Sequence, residues 1–229
     1  MTKTIKINNI EIEITKKKIK SLRIKVYPNQ KVKVSAPNRL KYDDIISFIE
    51  SKMSWIEIHL KTFENRPKKA EIKMIKGENH YFLGKKYELE IVYVKNKHKI
   101  IKNESKLELH IRENTKTKNR LLVLENCYKS ELEKIIPGLV LKWENIINVK
   151  VNEFTIRKTK RIWGSCNINK KKITLSLELA KKDIDLIEYV LVHELVHLLE
   201  RYHNKNFFRL MDKYLPKWRE KKNILNNIT

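Results

Sequence analysis

Residues 187–198 read Ile-Glu-Tyr-Val-Leu-Val-His-Glu-Leu-Val-His-Leu. Residues four apart on a helix share a face, about one turn along the axis. His193 and His197 therefore aim two imidazoles at one point. Glu194, next to the first, can reach a water held there without ligating anything itself. This is the H-E-x-x-H pattern, in which a metal lowers the pKa of its water toward about 7 and the carboxylate takes the proton as hydroxide attacks a carbonyl. The flanking Val190, Leu191, Val192, Leu195, Val196, Leu198 and Leu199 make the helix apolar nearly all round, so its polar groups must be satisfied internally. The blander alternative is a pair of core histidines bonded to backbone, with Glu194 paired to a lysine.

A catalytic zinc takes three protein ligands and keeps one position open. His203 stands six residues after His197 and would point about 120° away on a continued helix. It can ligate only if the chain turns after Glu200 or Arg201, with Asn204 in a left-handed conformation as an aid. The H-E-x-x-H-x5-H spacing matches that of the metzincins, without their glycine. Asp212 and Glu220 are the rival third ligands. His59, His80, His98 and His110 carry no ligand spacing.

Residues 4–15 alternate with period two and read as a strand, as do Leu22–Tyr27 and Val32–Ser35 around a Pro28-Asn29-Gln30 turn. Tyr42 to about Phe63 reads as one long amphipathic helix, broken by Asn65-Arg66-Pro67. Residues 73–112 read as further short strands with no chemical signature. Thr117 to Val149 reads as helix, with a break or kink at Pro137-Gly138. Residues 153–158 and 172–179 read as strands joined by a tight polar loop, Arg161–Lys171. Asp183 or Asp185 can cap the next helix, and Asp185 with Glu188 fits a capping box. A last helix covers about Asn206–Leu215 and stops at Pro216. These elements predict an α+β protein. Residues 1–115 form an N-terminal β-rich region with its helix at about 42–63, and 116–229 form the catalytic domain.

The 229 residues are 41% hydrophobic, enough for a sizeable core. Two cysteines, Cys127 and Cys166, exclude a disulfide scaffold. No run approaches the roughly 20 apolar residues of a membrane-spanning helix, and no signal-peptide core is present. A cytoplasmic location is the default expectation. Lys+Arg 51 against Asp+Glu 27 gives a net charge of +24. Either an AT-rich genome's codon bias or an anion-binding surface accounts for it.

The stretches RIWGSC from Arg161, ITLSLEL from Ile173, IEYVLVHELVHL from Ile187, HNKNFF from His203 and PKW from Pro216 resemble the YgjP-like (DUF45) metallopeptidase family, which is related to the SprT-like and WLM zinc proteases. SLRIKV from Ser21, VSAP from Val34 and Trp55-Ile56 resemble the family's opening strands and helix. The resemblance implies a zincin-like catalytic domain with one zinc ion at His193, His197 and His203, and Glu194 as the base. It also implies that Trp163, Gly164 and Ser165 line the substrate cleft. A packing turn, with Trp163 in the core and Gly164 at a positive φ, is the equal alternative for that loop. Tyr202 could donate to a tetrahedral oxyanion or simply pack at the surface. Phe207, Phe208 and Trp218 are expected to be core residues that fix the His203 loop.

The leading expectation is a zinc-dependent metallopeptidase acting on proteins or peptides. A metal-dependent nucleotide phosphoanhydride hydrolase is the first alternative, although no phosphate-cradling glycine loop is present. A DNA- or RNA-associated protein with a protease-like metal site is the second, favoured by analogy with SprT-like relatives. A membrane partner is not expected.

Overall fold

At Asn8 and Asn9 both backbones are left-handed, with φ of 47° and 64°. Two such residues in succession close a two-residue hairpin. The strand expected over 4–15 is therefore two strands, β1 (Thr2–Ile7) and β2 (Ile10–Lys17), paired antiparallel from Ile7 opposite Ile10. The computed structural model describes residues 2–64, 72–159 and 161–227. Its contacts divide the chain into two units, Met1–Glu71 and Ile72–Thr229.

In the first unit, β3 (Arg23–Val26) and β4 (Val32–Pro37) complete a four-stranded sheet of order β1-β2-β4-β3, with β2 and β4 parallel. The expected helix over 42–63 is two helices, α1 (Tyr42–Glu50) and α2 (Met53–Glu64). At the break the Ser51 hydroxyl donates to the Phe48 carbonyl at 2.8 Å, the local bonding by which serine competes with helix continuation. Ile45, Ile49, Met53 and Ile56 keep helical spacing across it and pack on Ile12, Ile14, Val32 and Val34. The Asn65-Arg66-Pro67 break lies outside the described residues.

The second unit opens with β5 (Asn79–Phe82), β6 (Lys85–Tyr93), β7 (Lys99–Lys102) and β8 (Lys106–Ile111), in the order β5-β6-β8-β7. Helix α3 (Thr117–Ile147) then runs 31 residues and ends on a left-handed Asn148. Pro137 does not interrupt it. Pro137 and Gly138 lie on its exposed face, while Leu124, Tyr128, Leu132, Ile136, Val140, Trp143 and Ile147 form one buried stripe. The boundary expected at 115/116 falls inside this unit, because Leu89, Leu107, Leu109 and Ile111 of the sheet share one core with α3.

Strands β9 (Glu153–Arg157), β10 (Gly164–Asn167) and β11 (Lys172–Ser176) make a three-stranded sheet of order β10-β11-β9. The expected polar loop 161–171 thus contains an edge strand, paired antiparallel to β11 from Gly164 opposite Leu175. β11 is shorter than expected and passes into a 3-10 turn, Leu177–Lys181. Helix α4 (Ile184–Val196) follows. Asp183 is its N-cap residue, but the Asp183 side chain makes no capping bond. The Asp185–Glu188 capping box does not form either. Asp185 pairs with Lys221, and Glu188 accepts from Trp143 Nε1 and Lys142, tying α4 to α3. α5 (Lys205–Tyr214) and α6 (Trp218–Asn227) close the unit. The sequence reading did not anticipate α6, whose start is anchored where the Trp218 ring stacks on Phe208.

The described residues therefore hold three small sheets and six α-helices, one of them long, in an α+β arrangement. No helix among them is long and apolar enough to cross a membrane.

Candidate functional site

Helix α4 buries Leu186, Ile187, Val190, Leu191, Val192, Leu195 and Val196, and this packing fixes its rotation. His193 and Glu194 sit in its last turn, and His197 is its C-cap residue. The chain then tightens: Leu198 N bonds to the Leu195 carbonyl and Leu199 N to that of Val196. The Glu200 carboxylate accepts from Tyr202 N at 3.1 Å and from Asn206 Nδ2 at 3.2 Å, holding the turn. Asn204 is extended, with φ of −97°, and caps α5 through Phe207 N at 3.0 Å. It thus reverses the chain as an N-cap and not in the expected left-handed conformation.

The reversal returns His203 to α4. His203 Nε2 lies 3.0 Å from His193 Nε2. One ligating atom from each of His193, His197 and His203 falls within 4.8 Å of the others, the one group of three or more such residues among those described. Asp212 is engaged by Trp218 Nε1 at 2.8 Å and by Arg219, and Glu220 lies outside the group. Phe207, fully buried, supports all three imidazoles with ring centroids 4.6 to 5.0 Å away.

The donor set suits a borderline-soft cation. Burial, then the neighbouring His197 and His203, holds His193 down at about 3, so its ring stays neutral. Burial also lowers His197. His197 Nδ1 meets the Glu200 carbonyl at 3.1 Å, which leaves Nε2 for the cluster, as an outer hydrogen bond usually fixes a metal-binding histidine. Nitrogens about 2.0–2.1 Å from one tetrahedral zinc stand roughly 3.3 Å apart, close to the His193–His203 separation. His193 Nδ1 is buried without a partner.

Glu194 is buried beside this cluster, and burial pushes its carboxyl up to about 8. Its side chain lies against the β10 backbone. A Cβ on Gly164 would stand 2.7 Å from Glu194 Oε1 and 2.8 Å from its Cγ. Gly164 is thus required by close approach, and its φ is not positive. Cys166, pushed up to about 11 by burial and then by Glu194, is held as a thiol. Trp163 is half-buried against the core with Lys182 over its ring, and Ser165 is exposed on β10. Tyr202 is 66% exposed, beside the cluster in sequence, with the Arg201 guanidinium over its ring. The sequence reading missed the Glu200 brace. Its signal was a polar residue three positions past His197, where the helix had to end.

The sequence model of the family described as YgjP-like, metallopeptidase domain, matches residues 20–228. No curated protein matches the chain. Among solved structures, the metallopeptidase zymogen abylysin of Pyrococcus abyssi is similar at 23% identity and a TM-score of 0.37, over 39% of this chain and 90% of that one. The metallopeptidase zymogen jannalysin of Methanocaldococcus jannaschii is similar at 19% identity and a TM-score of 0.34, over 43% of this chain and 97% of that one.

Proposed function

This chain belongs to the YgjP-like metallopeptidase family, and from that premise we propose that it hydrolyses peptide bonds with one zinc ion held by His193, His197 and His203. The observation that carries this reading is the convergence of three imidazoles, from α4, its C-cap and the turn that follows, beside the buried Glu194 carboxylate. Zinc in a three-imidazole site supplies a Lewis acid for a carbonyl oxygen and makes water acidic near neutral pH.

The remaining work falls to the chain's own groups. Glu194 takes a proton from the attacking water and delivers it to the leaving amine nitrogen as the C–N bond breaks. Its elevated pKa suits a group that must both accept and return a proton, and a nearby cation would favour the carboxylate form. Gly164 lets that carboxylate lie against β10. Glu200 and Phe207 orient the ligands: one holds the His197 tautomer through its carbonyl, the other supports the three rings.

Metal content of protein purified without a histidine tag, measured on the wild type and on His203→Ala, tests the site. The wild type should hold one equivalent of zinc and the variant markedly less. A wild type with no tightly bound metal, or a variant with undiminished zinc, would contradict the three-histidine assignment.

A further inference from the structure

A groove of about 790 Å3 opens beside His197, lined by residues of β9, β10, β11 and the turn after α4. Four of its lining side chains are cationic, Arg157, Lys170, Lys172 and Arg201, and none is a carboxylate. In a chain with 51 basic and 27 acidic residues, cations alone would say little. Their pairing says more. Lys172 is matched by Glu153 at 2.5 Å. The side chains of Arg157, Lys170 and Arg201 form no ion pair with a carboxylate among the described residues, and the Arg201 guanidinium lies over the Tyr202 ring. A free guanidinium presents a planar fork of donors that fits a carboxylate.

We propose that this groove is the specificity subsite of the peptidase and that it receives acidic side chains, Asp or Glu, flanking the scissile bond. The inference rests on the peptidase reading and adds its substrate class. The polyanion that competes for such a surface is single-stranded nucleic acid, which is held by aromatic platforms set among cations. The groove offers no Phe, Tyr or Trp in its lining. Its position beside a proposed zinc ligand suits a residue close to the reacting bond.

The test uses the zinc-loaded full chain and a set of quenched fluorescent peptides of equal length. One is neutral, and the others carry Glu or Lys at each position within three residues of the scissile bond. Glu on one side of that bond should raise kcat/KM on the order of tenfold over the neutral peptide, as two exposed ion pairs allow. Lys at the same positions should lower it. The preference should shrink with added sodium chloride and collapse toward unity in the double variant Arg157→Gln/Arg201→Gln, whose fold is checked by circular dichroism. Cleavage of the neutral peptide by the wild type reports on the peptidase reading separately. Should no peptide be cleaved, fluorescence anisotropy of a Glu-rich peptide against a neutral one on the Glu194→Gln protein still reads the groove. No preference for Glu at any position, an unchanged preference in the double variant, or displacement of the acidic peptide by a tighter-binding oligonucleotide would overturn the proposal.

Discussion

In β1–β4 and again in β5–β8 the chain makes one figure. Two strands pair antiparallel, the second and fourth pair parallel, and the third and fourth pair antiparallel. Each sheet even carries a Glu on its second strand paired to a Lys on its fourth, Glu13–Lys33 at 2.7 Å and Glu90–Lys106 at 3.1 Å. The two differ in what covers them. The first sheet is covered by α1 and α2, of 9 and 12 residues, and its core ends there. The second is covered by α3, whose 31 residues span roughly 46 Å at 1.5 Å per residue. That length lets one helix pack on the sheet through Tyr128, which donates to the Tyr81 carbonyl, and on α4 through Trp143 and Glu188. The same sheet is thus a finished module in one place and a foundation for the candidate site in the other. Function follows what is built on a topology, not the topology itself.

Core truncations in the two sheets should have the largest and most different effects. Leu109→Ala in β8 and Ile14→Ala in β2 each remove a fully buried side chain and should cost about 2–5 kcal/mol. Only Leu109→Ala should also weaken zinc retention, because its core continues into α4. Thermal unfolding with metal analysis checks both, and loss of zinc in Ile14→Ala would mean that the first sheet supports the site as well.

Gly164→Ala sharpens the point that the additions carry the chemistry. The new Cβ would push on Glu194, and a displacement near 1 Å at a reacting group costs on the order of 100-fold in rate. Zinc content should be unchanged. Full peptidase activity in this variant would remove the close approach from the mechanism.

A smaller effect distinguishes the units by pH. His80 in β5 is buried, and that burial lowers its pKa below the usual value near 6.5. Its Nε2 lies 3.3 Å from the Glu78 carboxylate without the alignment of a hydrogen bond. The unfolded chain therefore binds this proton more readily than the folded one. The stability contributed by neutral His80 is present above pH about 6.5 and is lost as pH falls below it. Denaturant titrations between pH 7 and 5 should show the second unit weakening, and His80→Gln should flatten that slope. The first unit buries no histidine among its described residues, so a slope unchanged by His80→Gln would assign the effect elsewhere.

The α4 segment was the most legible part of the chain, because five residues at helical spacing specify both a geometry and a chemistry. The convergence of His203 was legible as a need for a turn, but not how the turn is made. Asn204 can be left-handed or an N-cap, and only the position of Phe207 decides between them. Asn8-Asn9 was a hairpin signal inside a stretch read as one strand: the isoleucines at 5 and 7 change phase to 10, 12 and 14, and that single step of three marks the turn. Ser51 was hidden more fully, between two helical stripes in register. The edge strand β10 is four residues long and carries no apolar run, so only its pairing with β11 reveals it. The contact division at 71/72 was not legible, because periodicity identifies strands but not the core to which they contribute.

In the proposed mechanism Glu194 moves the proton while His193, His197 and His203 hold the metal. Zinc stoichiometry and peptide hydrolysis measured together on Glu194→Gln test it most directly. One equivalent of zinc should be retained and the rate reduced by about 10²–10⁴. Hydrolysis at the wild-type rate in that variant would contradict it.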